Sequence, residues 1–255
     1  FTDYTKDNTE FPCSDDGNRI YYPNVDQKKF EQIPGSPIGY WASEKIIEAF
    51  KTKKYISSYS TVRSGFSTGN NDKYIKLWYE PSINTIAFNC HSNEEYLNLE
   101  KKYVPFTKGG SFRRWYGNND VVVDWTKPET MHRPRFTYMN LYFKPAITWN
   151  AISSGKISCR YYKLGFLFEH AAVSLFVNDT YQYEDFLAYL NTNVFQSILK
   201  TINPTLNSGA EIVSSIPILF SNKDIKGTVH TNISISKQDW DAHETSWDFK
   251  ENELI

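Results

Sequence analysis

Between residues 74 and 176 the chain carries seven short runs rich in β-branched and aromatic residues, and this succession limits what it can fold into. The runs fall at 74–79, 85–90, 121–125, 146–149, 157–162, 165–168 and 173–176. Each has the length of a strand and none is long enough to be read as a buried helix. Short extended segments leave their backbone donors and acceptors unpaired until they join a sheet, so the middle of the chain must be β-rich. Spacing between the runs is irregular, and the least patterned connection is 126–142, "TKPETMHRPRFTYMNLY".

Helical periodicity flanks this middle. Ser43 reads as an N-cap for a helix that places Ile46, Ile47, Ala49 and Phe50 on one side and Glu44, Lys45, Glu48 and Lys51 in water. The clearest helix is expected at 184–202, where Phe186, Leu187, Leu190, Val194, Phe195, Ile198 and Leu199 recur at helical spacing before Pro204 stops it. "GAEIVSSIPIL" then reads as a turn of helix running into an apolar strand. Residues 1–34 read as a loop-rich lead-in with one short strand near 19–22. The expected class is α+β: a β-rich domain at 35–220 with flanking helices, followed by an acidic tail at 221–255 that packs on the domain or on a partner.

Several function classes are disfavoured by what is missing. No apolar run approaches the roughly 20 residues a bilayer requires. Cys13, Cys90 and Cys159 stand far apart with no Cys-x-x-Cys pair, which fits a reduced, cytoplasmic setting in which the sequons at Asn178 and Asn232 are chance. His91, His132, His170, His230 and His243 have no metal-type spacing, and no nucleophilic triad is apparent. His170, beside Glu169 at a strand end, reads as structural. A base-holding Asn-Pro-Pro-aromatic turn is absent, the nearest text being Asn203-Pro204-Thr205-Leu206, and no glycine-rich strand-to-helix turn for a nucleotide is present. No catalytic residue, metal or cofactor is therefore expected in this chain.

Net charge is only −1, but the charge is segregated. Residues 51–114 hold eleven basic and five acidic side chains, whereas residues 237–255 hold two basic and six acidic. That distribution fits a polyanion-facing middle with the tail kept away from it. Two basic turns stand out. "GGSFRRWYGNND" offers Lys108, Arg113 and Arg114 as phosphate or base-edge contacts beside Trp115 and Tyr116, and "SGFSTGNNDKYIK" offers Lys73 and Lys76, with Arg63 just upstream. Asn70, Asn71, Asn118 and Asn119 can each pair with adenine through two hydrogen bonds, or simply form the turns. A structural alternative for the first turn stacks Arg113 on Trp115 over the core.

Six phrases carry a resemblance: "SPIGYWASEKI", "GFSTGNNDKYIKLWYE", "YVPFTKGGSFRRWYGNNDVVVDW", "ITWNAISS", "INPTLNSGAEIVSSIPI" and "DWDAHETSWDF". In this order, from residue 35 to 249, the chain resembles the C-terminal half of the PglX family, adenine-specific DNA methyltransferases of bacterial bacteriophage-exclusion (BREX) phage-defence systems. The resemblance implies a target-recognition domain similar to those of type I restriction-modification specificity subunits. It places the S-adenosylmethionine site and the Asn-Pro-Pro-Tyr catalytic turn in a missing N-terminal domain. Implied partners are double-stranded DNA, that methyltransferase domain and other defence-system proteins. Phrases shared across such a family cannot choose the base, so Lys73 and Arg113 are expected on phosphates or in folding. Base choice is expected in 126–142, with His132, Arg133 and Arg135, and in 178–183.

Overall fold

The computed structural model describes residues 26–33, 35–36, 42–178, 182–203, 205–220 and 224–251; the strand expected near 19–22, Cys13, Pro204 and residues 179–181 of the 178–183 passage lie outside them. Two four-stranded sheets form the centre. The first is antiparallel throughout, in the order β1 (Ser60–Arg63), β8 (Ala172–Val177), β5 (Ala146–Asn150), β6 (Arg160–Tyr162). The second runs β2 (Ile75–Leu77), β4 (Val121–Asp124), β3 (Tyr103–Thr107), β7 (Leu167–Phe168), with β3 and β7 parallel.

Strand alternation assigns the two faces of the first sheet to different cores. Ile147, Trp149, Val173 and Leu175 pack with Ile47 and Phe50 of α1 (Glu44–Lys51) and with Phe186, Phe195 and Ile198 from the helical segment. Ala146, Tyr162 and Phe176 turn the other way, onto Phe66, Val104, Phe106, Val123 and Phe168. The result is three layers: helices, first sheet, second sheet. Trp149 is fully buried, and its Nε1 donates to the Ser208 carbonyl at 2.8 Å, which ties the helical layer to β5. The α+β class and the Ser43 cap agree with the sequence reading.

Several local expectations are corrected. The single helix at 184–202 is two, α4 (Tyr183–Leu190) and α5 (Asn193–Ile202). Between them the buried Asn191 accepts from the Cys159 amide and donates to the Cys159 and Leu187 carbonyls, while Thr192 caps α5 through the Phe195 amide. The strand expected at 74–79 begins as a single helical turn, α2 (Asn71–Tyr74), capped by Asn70, and only then becomes β2. Residues 85–90 contribute one isolated bridge, Ile86 to Tyr103. A short helix, α3 (Asn93–Asn98), precedes β3, and α6 (Ala210–Ser214) is followed by a bridge from Pro217 to Tyr55 instead of a ladder.

The largest correction concerns the tail. Residues Lys226–Asp241 form a helix, α7, that lies against α4 and against the basic 108–119 loop. The acidic tail is therefore not held away from the basic middle; it covers part of it.

Candidate nucleic-acid interface

The chain leaving β1 makes the first wall of the site. Gly65 lies so close to Phe168 that a Cβ would fall 1.8 Å from its carbonyl oxygen, and the next residues then run beside the otherwise unpatterned 126–142 connection. Ser67 and Arg133 exchange backbone hydrogen bonds of 3.0 Å, and the His132 amide donates to the Thr68 carbonyl at 3.2 Å. Gly69, at φ +72°, allows this approach: a Cβ there would sit 2.6 Å from the His132 Cβ.

These contacts bring together residues some sixty positions apart. Asn70 accepts from the Lys73 amide at 3.1 Å, and the Asn71 Oδ1 accepts from the Thr68 hydroxyl at 2.8 Å. Lys73 Nζ donates to the Tyr74 hydroxyl, which is itself 2.8 Å from the Thr130 hydroxyl, while Lys76 Nζ donates to the Asp72 carbonyl. Asn70, Asn71, Lys73, His132 and Arg133 all remain exposed.

Next to this wall opens a cleft of about 1020 Å³ lined by Arg63, Arg135, Tyr138, His170, Asn207 and Glu211 among others. The guanidinium carbons of Arg63 and Arg135 stand 5.9 and 5.8 Å from the centre of the same ring, that of Tyr138. Tyr138, Asn207 and Glu211 were not singled out in the sequence, and His170, read there as structural, lines this cleft.

The 108–119 loop is organised differently. Arg113 donates from Nη1 to Asp239 of α7 at 2.8 Å and stacks over the Trp240 ring at 5.0 Å, so its partner is not Trp115. Trp115 instead bridges to β6, its amide donating to the Cys159 carbonyl and its carbonyl accepting from the Tyr161 amide, both at 2.9 Å. Asn118 is buried at φ +60°, and its Nδ2 donates to the Ser111 carbonyl at 2.9 Å. It braces the loop internally and offers no edge to a base. Arg114 lies 5.5 Å above the ring of Phe112, which is 60% exposed.

Lys108 lies within electrostatic reach of the half-buried carboxyls of Asp120 and Glu169. Burial pushes the Asp120 and Glu169 carboxyls up, and the Lys108 charge only partly offsets this. Arg160 is 2% exposed with Nε and Nη1 unpartnered, and burial draws its guanidinium down to about 10.

Both loops border one end of the fold. Register aligns Arg63 with Ser174, Ser174 with Thr148 and Thr148 with Arg160, and Trp115 bridges to Arg160. At roughly 4.8 Å per strand spacing, β1 and β6 stand about 15 Å apart. A shallow depression lined by Gly110, Phe112, Asn150 and Ile152 continues from the second loop, and Ile152 pairs with Asn207 at the cleft.

Comparison with known proteins bears on this arrangement. The chain is 35% identical over 251 residues to the adenine-specific methyltransferase PglX of Lacticaseibacillus casei (strain Zhang), covering 93% of this chain and 21% of that protein. It is 30% identical over 255 residues to the adenine-specific methyltransferase BrxX of Escherichia coli O9:H4 (strain HS), covering 98% of this chain and 20% of that protein. The chain is homologous to a segment of the PglX methyltransferases. It spans about a fifth of the length of these PglX and BrxX relatives. No protein-family model matches. A solved type I R-M system structure aligns with 72% of this chain and 38% of its own at a TM-score of 0.41 and 11% identity, a likeness too distant to carry an argument.

Proposed function

We propose that this chain is the DNA-specificity domain of an N6-adenine DNA methyltransferase acting in phage defence, and that it recognises double-stranded DNA by sequence without itself transferring a methyl group. One observation carries the reading: cationic and amide side chains from separate parts of the chain, Arg63, Asn70, Asn71, Lys73, His132, Arg133 and Arg135, gather on and beside one cleft. Homology to PglX and BrxX supplies the adenine-methyltransferase context. Arg113 and Asn118 are engaged within the fold and stand outside the leading set, whereas Arg114, Lys76 and Lys108 are secondary contacts.

The methyl donor, S-adenosylmethionine, and the transfer step belong to the remainder of such a parent. Gly65 and Gly69 are closed against Phe168 and His132, and only the single helical turn of α2 follows them, so this turn makes no cradle for that cofactor.

Electrophoretic titration of duplex DNA at two salt concentrations tests the reading. Each phosphate contact contributes a log-log slope of about −0.9, so several contacts give a steep loss of affinity with salt. Absent or salt-insensitive binding would overturn it.

A second reading, docking on the methyltransferase core or on other defence proteins, is favoured by the exposed apolar side chains of Tyr79, just beyond the edge strand β2, Ile83 and Leu97. The acidic tail does not supply that surface, because its Trp240 and Trp247 pack inside this chain. Alanine at Tyr79, Ile83 and Leu97 together should spare DNA binding while abolishing capture of a methyltransferase core.

A further inference from the structure

We propose that Arg63 and Arg135 form a two-point clamp in the cleft that closes on the phosphodiester backbone of the bound DNA. The proposal rests on the DNA-recognition reading and assigns Arg135 a task different from its neighbours His132 and Arg133.

The backbone around Arg135 is built for a purpose. Arg135 adopts φ +54°, a left-handed conformation that a residue with a long side chain seldom takes without a constraint. The constraint is visible: the hydroxyl of Tyr142 contacts both the Pro134 carbonyl at 3.0 Å and the Arg135 carbonyl at 3.2 Å. Tyr142 is 2% exposed and wedged among Phe66, Trp125 and Phe168, so the rigid core of the second sheet dictates where Arg135 projects. Tyr142 is thereby a positioning residue.

The charge arrangement calls for an anion. Two guanidinium groups share one ring, that of Tyr138, and among the described residues neither forms an ion pair with a carboxylate. Arg135 Nε is buried without a partner, and Arg63 gives one donor to the Val62 carbonyl. Glu211, a carboxylate on the cleft wall, is bonded to neither.

Shape distinguishes phosphate from base. A base edge lies at the floor of a groove and is reached by a protruding side chain, as His132 and Arg133 protrude. The sugar-phosphate strand is a ridge, and a ridge enters a concavity. Two guanidinium forks in a concave wall match successive phosphates, each of which accepts two hydrogen bonds from one fork.

The test is fluorescence anisotropy on two labelled duplexes, one selected from a randomised pool by the wild-type chain and one unselected. Arg63→Gln combined with Arg135→Gln should lower the magnitude of the salt slope by about 1.8 on both duplexes and leave the selected sequence preference unchanged. Arg135→Lys alone, which keeps both positive charges, should hold the slope near the wild-type value, and Lys51→Gln on α1 should change nothing. A slope unchanged in the double variant, with wild-type binding intact, overturns the clamp and leaves the DNA reading standing. A loss confined to the selected duplex overturns it in favour of base contact. Failure of the wild-type chain to bind either duplex overturns both. Near-wild-type binding by Arg135→Lys shows that the site folds, so loss in the glutamine variant reads as lost charge.

Discussion

Two basic turns of similar composition meet opposite fates in this molecule. The turn after β1 keeps Asn70, Asn71 and Lys73 exposed and joins His132 and Arg133 beside an open cleft. The 108–119 loop carries as much positive charge, yet its Arg113 is paired with Asp239 and stacked on Trp240, and its Asn118 is buried. The difference teaches that charge counted along a sequence is not charge available to a ligand. Arg113 is neutralised by a residue 126 positions away, and nothing local marks it.

The strongest way to break the comparison is to remove the tail's anchor. Trp240 is 6% exposed and fills the space beside Gly117 and Arg113. Trp240→Ala should cost about 3–5 kcal/mol in urea unfolding, by analogy with other buried aromatic truncations. It should also make the 108–119 loop newly protease-sensitive; a loss below about 1 kcal/mol would mean that the tail is not integral to the fold.

Charge removal sharpens the contrast at a smaller scale. Lys73→Gln should reduce the magnitude of the salt slope of duplex binding by about 0.9, whereas Arg113→Gln should leave it within about 0.3 of wild type. Equal effects from both would show that the ion pair with Asp239 opens on binding.

The smallest effect is a pH dependence at Glu169, whose backbone joins the two regions, its carbonyl accepting from the Gly65 amide and its amide donating to the Thr107 carbonyl. Glu169, beside Lys108, has its carboxyl raised by burial, so its protonated form favours the folded state. Its contribution to stability is complete below the ordinary carboxylate range and is lost as pH rises through the raised value. Glu169→Gln should therefore gain stability relative to wild type as pH climbs from that range to neutral, whereas an equal change at every pH would contradict the burial argument. Unfolding midpoints across a pH series measure it.

Much of the fold was legible from local pattern. The β-branched and aromatic runs at 121–125, 146–149 and 173–176 became β4, β5 and β8, because strands covered on both faces read as short continuous apolar runs. Other elements escaped for identifiable reasons. β3 contains Pro105, which removes a ladder donor and argues against a strand, yet Pro105 pairs with Val122. The break at Asn191 leaves the hydrophobic stripe uninterrupted, so periodicity alone runs through it. α7 buries only Val229 and Trp240 along sixteen residues and lacks an apolar face to read.

The site was legible in residue type more than in arrangement. Lys73, His132, Arg133 and Arg135 were identifiable from turns and charge, but the bridge between Ser67 and Arg133 depends on Gly69 yielding room to His132. The role of Tyr138 under two arginines follows from backbone geometry at Arg135, which no local motif encodes.

Hydrogen–deuterium exchange of the chain with and without a selected duplex tests the central claim most directly. DNA should protect 63–76 and 130–138 most strongly and 108–119 only weakly, while leaving the α7 segment 226–241 unchanged. Protection confined to 108–119, with the cleft segments exchanging as in the free chain, would contradict the account.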